Sequence, residues 1–275
     1  MIDLARASGA AERAAYAAGT HLLASRSRLA EVLITRQEPE AVLATIEREV
    51  RGLIREVLMG MFPQHGLISD RRGPDLKTFL ADPRPHWVVD AIDGRGNYLR
   101  GYPQYAVSIA LIEAGEPLLG VVYDPVRNEF FGAIHGLGAV LNGQPVHCGP
   151  PRATGAALAA TVFPAPTSAH MQRYLAEFGR VVGAFNGVRR SGSMALELAY
   201  LAAGRIDAFW AHDMGAWDAA AAIVLLREGG ALVQARDGRA LLGSGSLLAC
   251  TPTMYEAFLS LLVEARTRAF SSALP

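Results

Sequence analysis

Two carboxylates three residues apart, Asp90 and Asp93, follow the apolar run His86-Trp87-Val88-Val89 and precede Gly94-Arg95-Gly96. An acid directly after an apolar strand is expected to be partly buried, and a buried carboxylate needs a partner. A second acid three residues later can point at the same space, and two that converge at a strand end form a hard-oxygen site of the kind Mg²⁺ accepts. A lone Asp-Gly is more often a turn or a helix cap; the strand in front and the second acid weigh toward chemistry. A third acid, Asp218, stands in Trp217-Asp218-Ala219-Ala220, ahead of Ile223-Val224-Leu225-Leu226. That helix is apolar nearly all round and is expected to be buried. The helix dipole alone favours an acid there, but at the inner end of a core helix a cation would also offset its burial.

The elements that must position these acids can be read from periodicity. Apolar residues at helical spacing predict helices over Leu4–Leu29 and Glu40–Met61, the second introduced by Pro39. Leu67-Ile68 reads as a short strand and Ser69–Pro85, with three prolines, as a loop. After Asp90 the pattern turns to strands: Tyr105–Glu113, Leu118–Tyr123, Glu129–Ile134 and Gly138–Val146, the last with Asn142-Gly143 as a hairpin signal. From about Pro150 strands alternate with helices. Ala157–Phe163, Ile206–Trp210 and Leu247–Cys250 are expected strands; Ser168–Phe178, Ser193–Ala203, Trp217–Glu228 and Met254–Ala265 are expected helices. Gly204 and Gly229-Gly230 end two of those helices. This predicts stacked layers of helices and sheets. Residues 1–150 carry the opening helices and the antiparallel sheet, residues 151–275 the α/β part, the two packed as one compact unit.

Composition removes other classes. The 275 residues are 51% apolar and 19% charged, as in a folded globular chain. Twenty-six basic residues balance 26 acidic ones, so nothing electrostatic points to nucleic acid or a membrane surface. No apolar run is long enough to span a bilayer, and Met1–Arg6 lacks a signal-peptide layout. Cys148 and Cys250 form no CxxC, which suits a reducing cytoplasm and argues against a zinc site.

Three stretches resemble one family. Asp90-Ala91-Ile92-Asp93-Gly94 with Asn97-Tyr98 and Gly101-Tyr102-Pro103 is similar to the D-P-I-D-G-T-x-N-F-x-x-G-x-P signature of inositol monophosphatases. Trp217-Asp218-Ala219-Ala220 with Glu228-Gly229-Gly230 resembles that family's second signature, and Arg190–Tyr200 resembles its helix motif, whose G-S-A-A-L-D-L-A-Y part falls on Gly192–Tyr200. The order and spacing match from about residue 40 to residue 252. The resemblance implies the layered αβαβα sandwich shared with fructose-1,6-bisphosphatases, and a Mg²⁺-dependent phosphomonoesterase, Mn²⁺ serving in its place. It implies that Asp90 bridges two ions, that the Ile92 carbonyl adds a ligand, and that Asp93 and Asp218 hold the second ion. Paired metals activate a water and neutralise phosphoryl charge. Gly94, Arg95 and Gly96 would receive the phosphate, and Gly192-Ser193 would line the alcohol side. A small phosphorylated alcohol, inositol monophosphate by default, and a homodimer in the cytoplasm complete the expectation.

The pattern also departs from the family. Asp70 falls where a glutamate ligates metal and helps activate water, and Arg71 replaces the acid after it. Glu47 aligns with an acid of the second helix. Arg95 replaces a threonine whose hydroxyl positions the water, and arginine has no acceptor. It could pair with Asp70, Asp90 or Asp93 in competition with the metal, or point outward and clamp phosphate. Asp70, Asp93 and Arg95 are therefore the catalytic candidates. Ala211 stands where an acid would accept inositol hydroxyls, with His212 and Asp213 beside it. The alternative reading is a catalytically impaired member that keeps the fold and binds an anion or a partner.

Overall fold

In the computed structural model, which describes residues 2–29, 38–69 and 82–271, two long helices come first. Helix α1 spans Leu4–Ala24 and α2 spans Pro39–Met61. Asp3 caps α1 by accepting the Arg6 N–H at 2.9 Å. The helix expected to reach Leu29 is interrupted by a turn at Ser25, and residues 26–29 are helical again. Of the loop expected over Ser69–Pro85, residues 70–81, with Asp70 and Arg71, lie outside the described residues.

Among the described residues the strands form two sheets. The first runs β1 (Gly66–Ile68), β2 (His86–Asp93), β3 (Ala106–Glu113), β4 (Glu116–Asp124), β5 (Glu129–Ile134), β6 (Gly138–Leu141) and β7 (Gln144–Val146), in that order. The β1–β2 pair is parallel and the others are antiparallel. Asn142 and Gly143 both take positive φ, 49° and 77°, the two-residue hairpin geometry that Asn-Gly favours. The second sheet has β8 (Leu158–Thr161), β9 (Gly187–Arg189), β10 (Ala208–Ala211), β11 (Leu232–Ala235) and β12 (Leu247–Cys250) in the order β11-β12-β10-β8-β9. Its β10, β8 and β9 are parallel neighbours, and β12 runs antiparallel to β10 and β11. The remaining helices used below are α3 (Arg95–Leu99), α4 (Met171–Ala184), α5 (Met194–Ala202), α6 (Ala216–Glu228) and α7 (Tyr255–Ser271).

Three apolar clusters order these elements into layers. The alanine stripe of α1 and Leu43, Ile46, Val50 and Ile54 of α2 bury against Trp87, Val89, Val107 and Ile109, on one face of the first sheet. Val88, Ala106, Ala110 and Val122, on the other face, meet α5 and α6, whose far sides meet Phe209 and Ala249 of the second sheet. Tyr174 and Val181 of α4 and Phe258 of α7 cover that sheet's outer face at Ala208, Trp210 and Leu248. The result is the expected αβαβα sandwich, with α5 and α6 as a helical layer buried on both sides. The helix expected over Ser168–Phe178 instead begins at Met171 and continues to Ala184. The Ser168 hydroxyl accepts the His170 backbone N–H at 3.0 Å, forming a turn where the helix was expected to begin.

Candidate active site

Strand β2 is buried along nearly its whole length, as a strand covered on both faces must be. Opposite it, Asp90 pairs with Ser108 and Asp93 with Ala106, so three steps on β2 match two on β3. This is a β-bulge. On a regular strand, residues three apart face opposite sides; the extra residue brings Asp93 back to the side of Asp90. Val88 and Ala106 mark that side as the one facing α5 and α6. The bulge therefore aims both acids at the helix that carries Asp218.

Asp218 is the third residue of α6, and its Oδ2 accepts the Gly215 N–H at 2.8 Å. Helix α6 lies hard against the first sheet: a Cβ on Gly120 of β4 would stand 2.1 Å from the Ala221 carbonyl oxygen. Asp93 is 8% exposed. Its Oδ2 accepts from the Ser193 hydroxyl and, at 2.9 Å, from the Ala195 N–H. Burial lifts the Asp93 carboxyl well above the usual carboxylate range; the charge of Asp218 adds to this, and the Ser193 and Ala195 donors act against it. Asp90, half-buried, accepts the Ile92 N–H on Oδ1 at 3.1 Å.

Gly94 turns the chain out of β2 with φ +89°, and a Cβ there would meet the Gln104 carbonyl oxygen at 2.8 Å. Helix α3 follows at once, with Arg95 and Gly96 as its first residues. A Cβ on Gly96 would meet nothing within 4 Å, so open space borders this turn. Among the described residues, the Arg95 guanidinium is paired with α2: Nη1 lies 2.8 Å from Glu47 Oε2, and Nη2 lies 3.6 Å from Glu40 Oε2. This pairing is neither the competition for Asp90 or Asp93 nor the free outward clamp weighed from sequence; Asp70, the third acid weighed there, lies outside the described residues. Glu47, aligned from sequence with an acid of the second helix, thus stands beside position 95.

The Asn97 amide joins the two halves of the site, donating to the Gln104 carbonyl at 2.7 Å and the Ser191 carbonyl at 2.8 Å. Behind Ser191, Glu197 of α5 is 1% exposed, accepts the Ser191 N–H on Oε1, and among the described residues has no hydrogen-bond partner on Oε2. Burial pushes this carboxyl up to about 8, and the charge of Asp93 adds to the shift. Sequence reasoning passed over Asn97 and Glu197 as parts of motifs. His212, which stands beside Ala211 in the sequence, has its ring 3% exposed and bonded to buried Glu177 at 2.9 Å. Ala211 is fully buried at the end of β10.

Among the described residues, no group of three or more His, Cys, Asp or Glu side chains stands together as a metal cluster, and Asp70 is not one of these residues. The donor chemistry still fits a hard divalent cation. Asp90, the Ile92 carbonyl, Asp93 and Asp218 offer only oxygen, and the charge of Asp218 adds to the cost of ionising Asp93, which a cation relieves. No described helix is long and apolar enough to cross a membrane.

A layered α/β chain with acids at a bulged strand end and on a core helix has solved counterparts. The inositol monophosphatase from Anabaena matches with a TM-score of 0.80 and 29% identity over 96% of this chain and 97% of its own. The native suhB structure from Bartonella henselae matches at 0.81 and 28% identity over 92% and 97%. Among curated relatives, an inositol-1-monophosphatase of Rhizobium meliloti is 35% identical, covering 86% of this chain and 88% of its own length. A Nus factor SuhB of Pseudomonas aeruginosa is 34% identical, over 90% and 92%. The model of the inositol monophosphatase family matches residues 3–267. The chain belongs to that family, and its membership supports a phosphatase.

Proposed function

We propose that the protein is a Mg²⁺-dependent phosphomonoesterase acting on a small phosphorylated alcohol, with inositol monophosphate as the first candidate. One observation carries this reading: the bulge that turns Asp90 and Asp93 to one face, opposite the helix of Asp218. Asp90, the Ile92 carbonyl, Asp93 and Asp218 would hold the metal, with Asp70 as a further ligand and participant in water activation. Bound Mg²⁺ supplies an activated water and neutralises phosphoryl charge. The protein's own part is to orient. Ser193 and the Ala195 N–H fix Asp93, Gly94 and the turn at Arg95 and Gly96 receive the phosphate on backbone N–H groups, and Gly192 with Ser193 borders the alcohol.

The test is hydrolysis of a panel of inositol, sugar, nucleotide and amino-alcohol phosphates with Mg²⁺ or Mn²⁺, together with thermal melts. Mg²⁺ at 100 times its dissociation constant should stabilise the fold by about 2.7 kcal/mol, and Asp93→Asn should abolish both turnover and that stabilisation. No turnover on any ester and no Mg²⁺ effect would overturn the reading. The Arg95–Glu47 ion pair favours a second one. It occupies the position where a water-orienting hydroxyl is expected, so the chain could keep the fold and serve by binding an anion or a partner, in line with relatives named Nus factor SuhB. Such a chain would bind without turnover. We also propose a twofold homodimer, which sedimentation at micromolar protein would test.

A further inference from the structure

Strands β8, β9 and β10 are parallel neighbours, so the loops that follow them leave the second sheet at one end. In open sheets of parallel strands, ligands bind outside the carboxyl ends. The loop after β9 carries Gly192 and Ser193, and the loop after β10 runs through Asp213 to Gly215, where the helix of Asp218 begins. Between these, the loop after β8 carries Phe163, Ser168 and His170.

His170 is half exposed, yet its ring is held on several sides. Its Nδ1 lies 2.6 Å from Asp213 Oδ1, and the Ser168 hydroxyl donates to Asp213 Oδ2. The ring stacks on His212, with centroids 5.3 Å apart at 20°. His212 in turn bonds the fully buried Glu177, which accepts from Arg236 at 2.8 and 3.0 Å. Burying such an ion pair costs desolvation, and here it supports a ring that faces solvent. Asp213 itself sits in the left-handed region, φ 58°, a backbone state that clusters at functional positions.

We propose that His170 reads the alcohol part of the substrate and, with Arg190, selects phosphate esters that carry a second anionic group. This rests on the phosphatase reading and narrows its substrate class. Ala211, where the family resemblance expects a hydroxyl-accepting acid, is apolar and fully buried. Both oxygens of Asp213 are engaged by Ser168 and His170. This end of the sheet instead presents the His170 imidazole, with Nε2 as its outer nitrogen, and the exposed guanidinium of Arg190, 4.8 Å over the Phe163 ring. The arginine fork only donates and has no acceptor, so Arg190 complements a carboxylate or phosphate better than a polyol.

The test compares 3-phosphoglycerate with glycerol 3-phosphate, which share a three-carbon skeleton and differ in carrying a carboxylate or a hydroxyl group. With Mg²⁺, kcat/KM for 3-phosphoglycerate should be at least tenfold higher. His170→Ala and Arg190→Gln should each cut that ratio at least fivefold, through KM rather than kcat. Calorimetric titration of the same two esters in Ca²⁺ should show the preference as a ratio of dissociation constants, so a chain without turnover still answers. A preference in binding with no hydrolysis would overturn the phosphatase reading alone. Equal affinities, or a preference unchanged in both variants, would overturn this one. Arg190, exposed on a loop, supplies a variant that leaves the core untouched should His170→Ala fail to fold.

Discussion

Replacing Arg95 by threonine removes one half of an ion pair in which the guanidinium is 41% and Glu47 15% exposed. At the observed 2.8 Å the bare attraction is about 6 kcal/mol in an effective dielectric of about 20. Desolvation and side-chain ordering offset most of it, and partly exposed pairs retain about 0.2–1 kcal/mol. Arg51 remains 3.7 Å from Glu47, so the carboxylate keeps a cation nearby. The expected loss is therefore about 1 kcal/mol, a fall of about 2–4 °C in Tm for a chain of this size. A double-mutant cycle of Arg95→Thr and Glu47→Gln, followed by urea unfolding, isolates the pairwise part. A coupling of zero would show that the pair does not form in solution. A loss above about 3 kcal/mol would mean that Arg95 neutralises buried acids after all. For activity, threonine supplies a hydroxyl at the start of α3 and leaves Glu47 free to accept from it. Turnover should rise, about 1.4 kcal/mol of recovered transition-state stabilisation giving tenfold. A lower kcat/KM would refute this and make Arg95 a phosphate clamp.

Ser193→Ala removes both the hydroxyl that accepts the Leu196 N–H at the start of α5 and the donor to buried Asp93; denaturant unfolding should show a loss of about 2–3 kcal/mol. Gly120→Ala drives a methyl into the Ala221 carbonyl and should cost about 1–3 kcal/mol through displacement of α6, with Mg²⁺ affinity falling in parallel by calorimetry. Burial alone would raise Glu177, but hydrogen bonds from His212 and Arg236 hold it at about 2. Its contribution, about 3 kcal/mol, is full above the ordinary glutamate range and is lost as pH falls from about 4.5 toward 2; Glu177→Gln should flatten that limb of a pH-dependent melt. Glu197 has the opposite sign: raised to about 8 by burial, it makes stability fall as pH rises from about 4.5 to 8, and Glu197→Gln should abolish that decline between pH 5 and 8.

Much of the fold was legible because its elements are long and periodic or end in distinctive turns. The apolar α6, the strands β3 to β5 and the Asn142-Gly143 hairpin all carry local signals. Strands β9 and β11 do not: they are three and four residues long, partly exposed, and include Arg189 and Gln234. Of the site, the acids Asp90, Asp93 and Asp218 stood out by type and position. How Asp90 and Asp93 come to share a face did not, since a bulge is a property of two paired strands and the count on β3 is invisible from β2. The pairing of Arg95 with Glu47, and that of Glu177 with His212 and Arg236, join residues far apart in sequence with no periodic relation. Burial gives the Glu177 pairs their weight, and it exists only once the layers close. Asp213 likewise shows its left-handed backbone only in three dimensions.

The Asn97 amide spends both of its hydrogens on carbonyls from opposite sides of the site, those of Gln104 and Ser191. The two loops are thereby mechanically linked, and neither can open without breaking a bond that also steadies the other. A ligand that quiets one should slow amide hydrogen exchange in both, and Asn97→Ala should let the two loops exchange at independent rates, turning one cooperative opening into two.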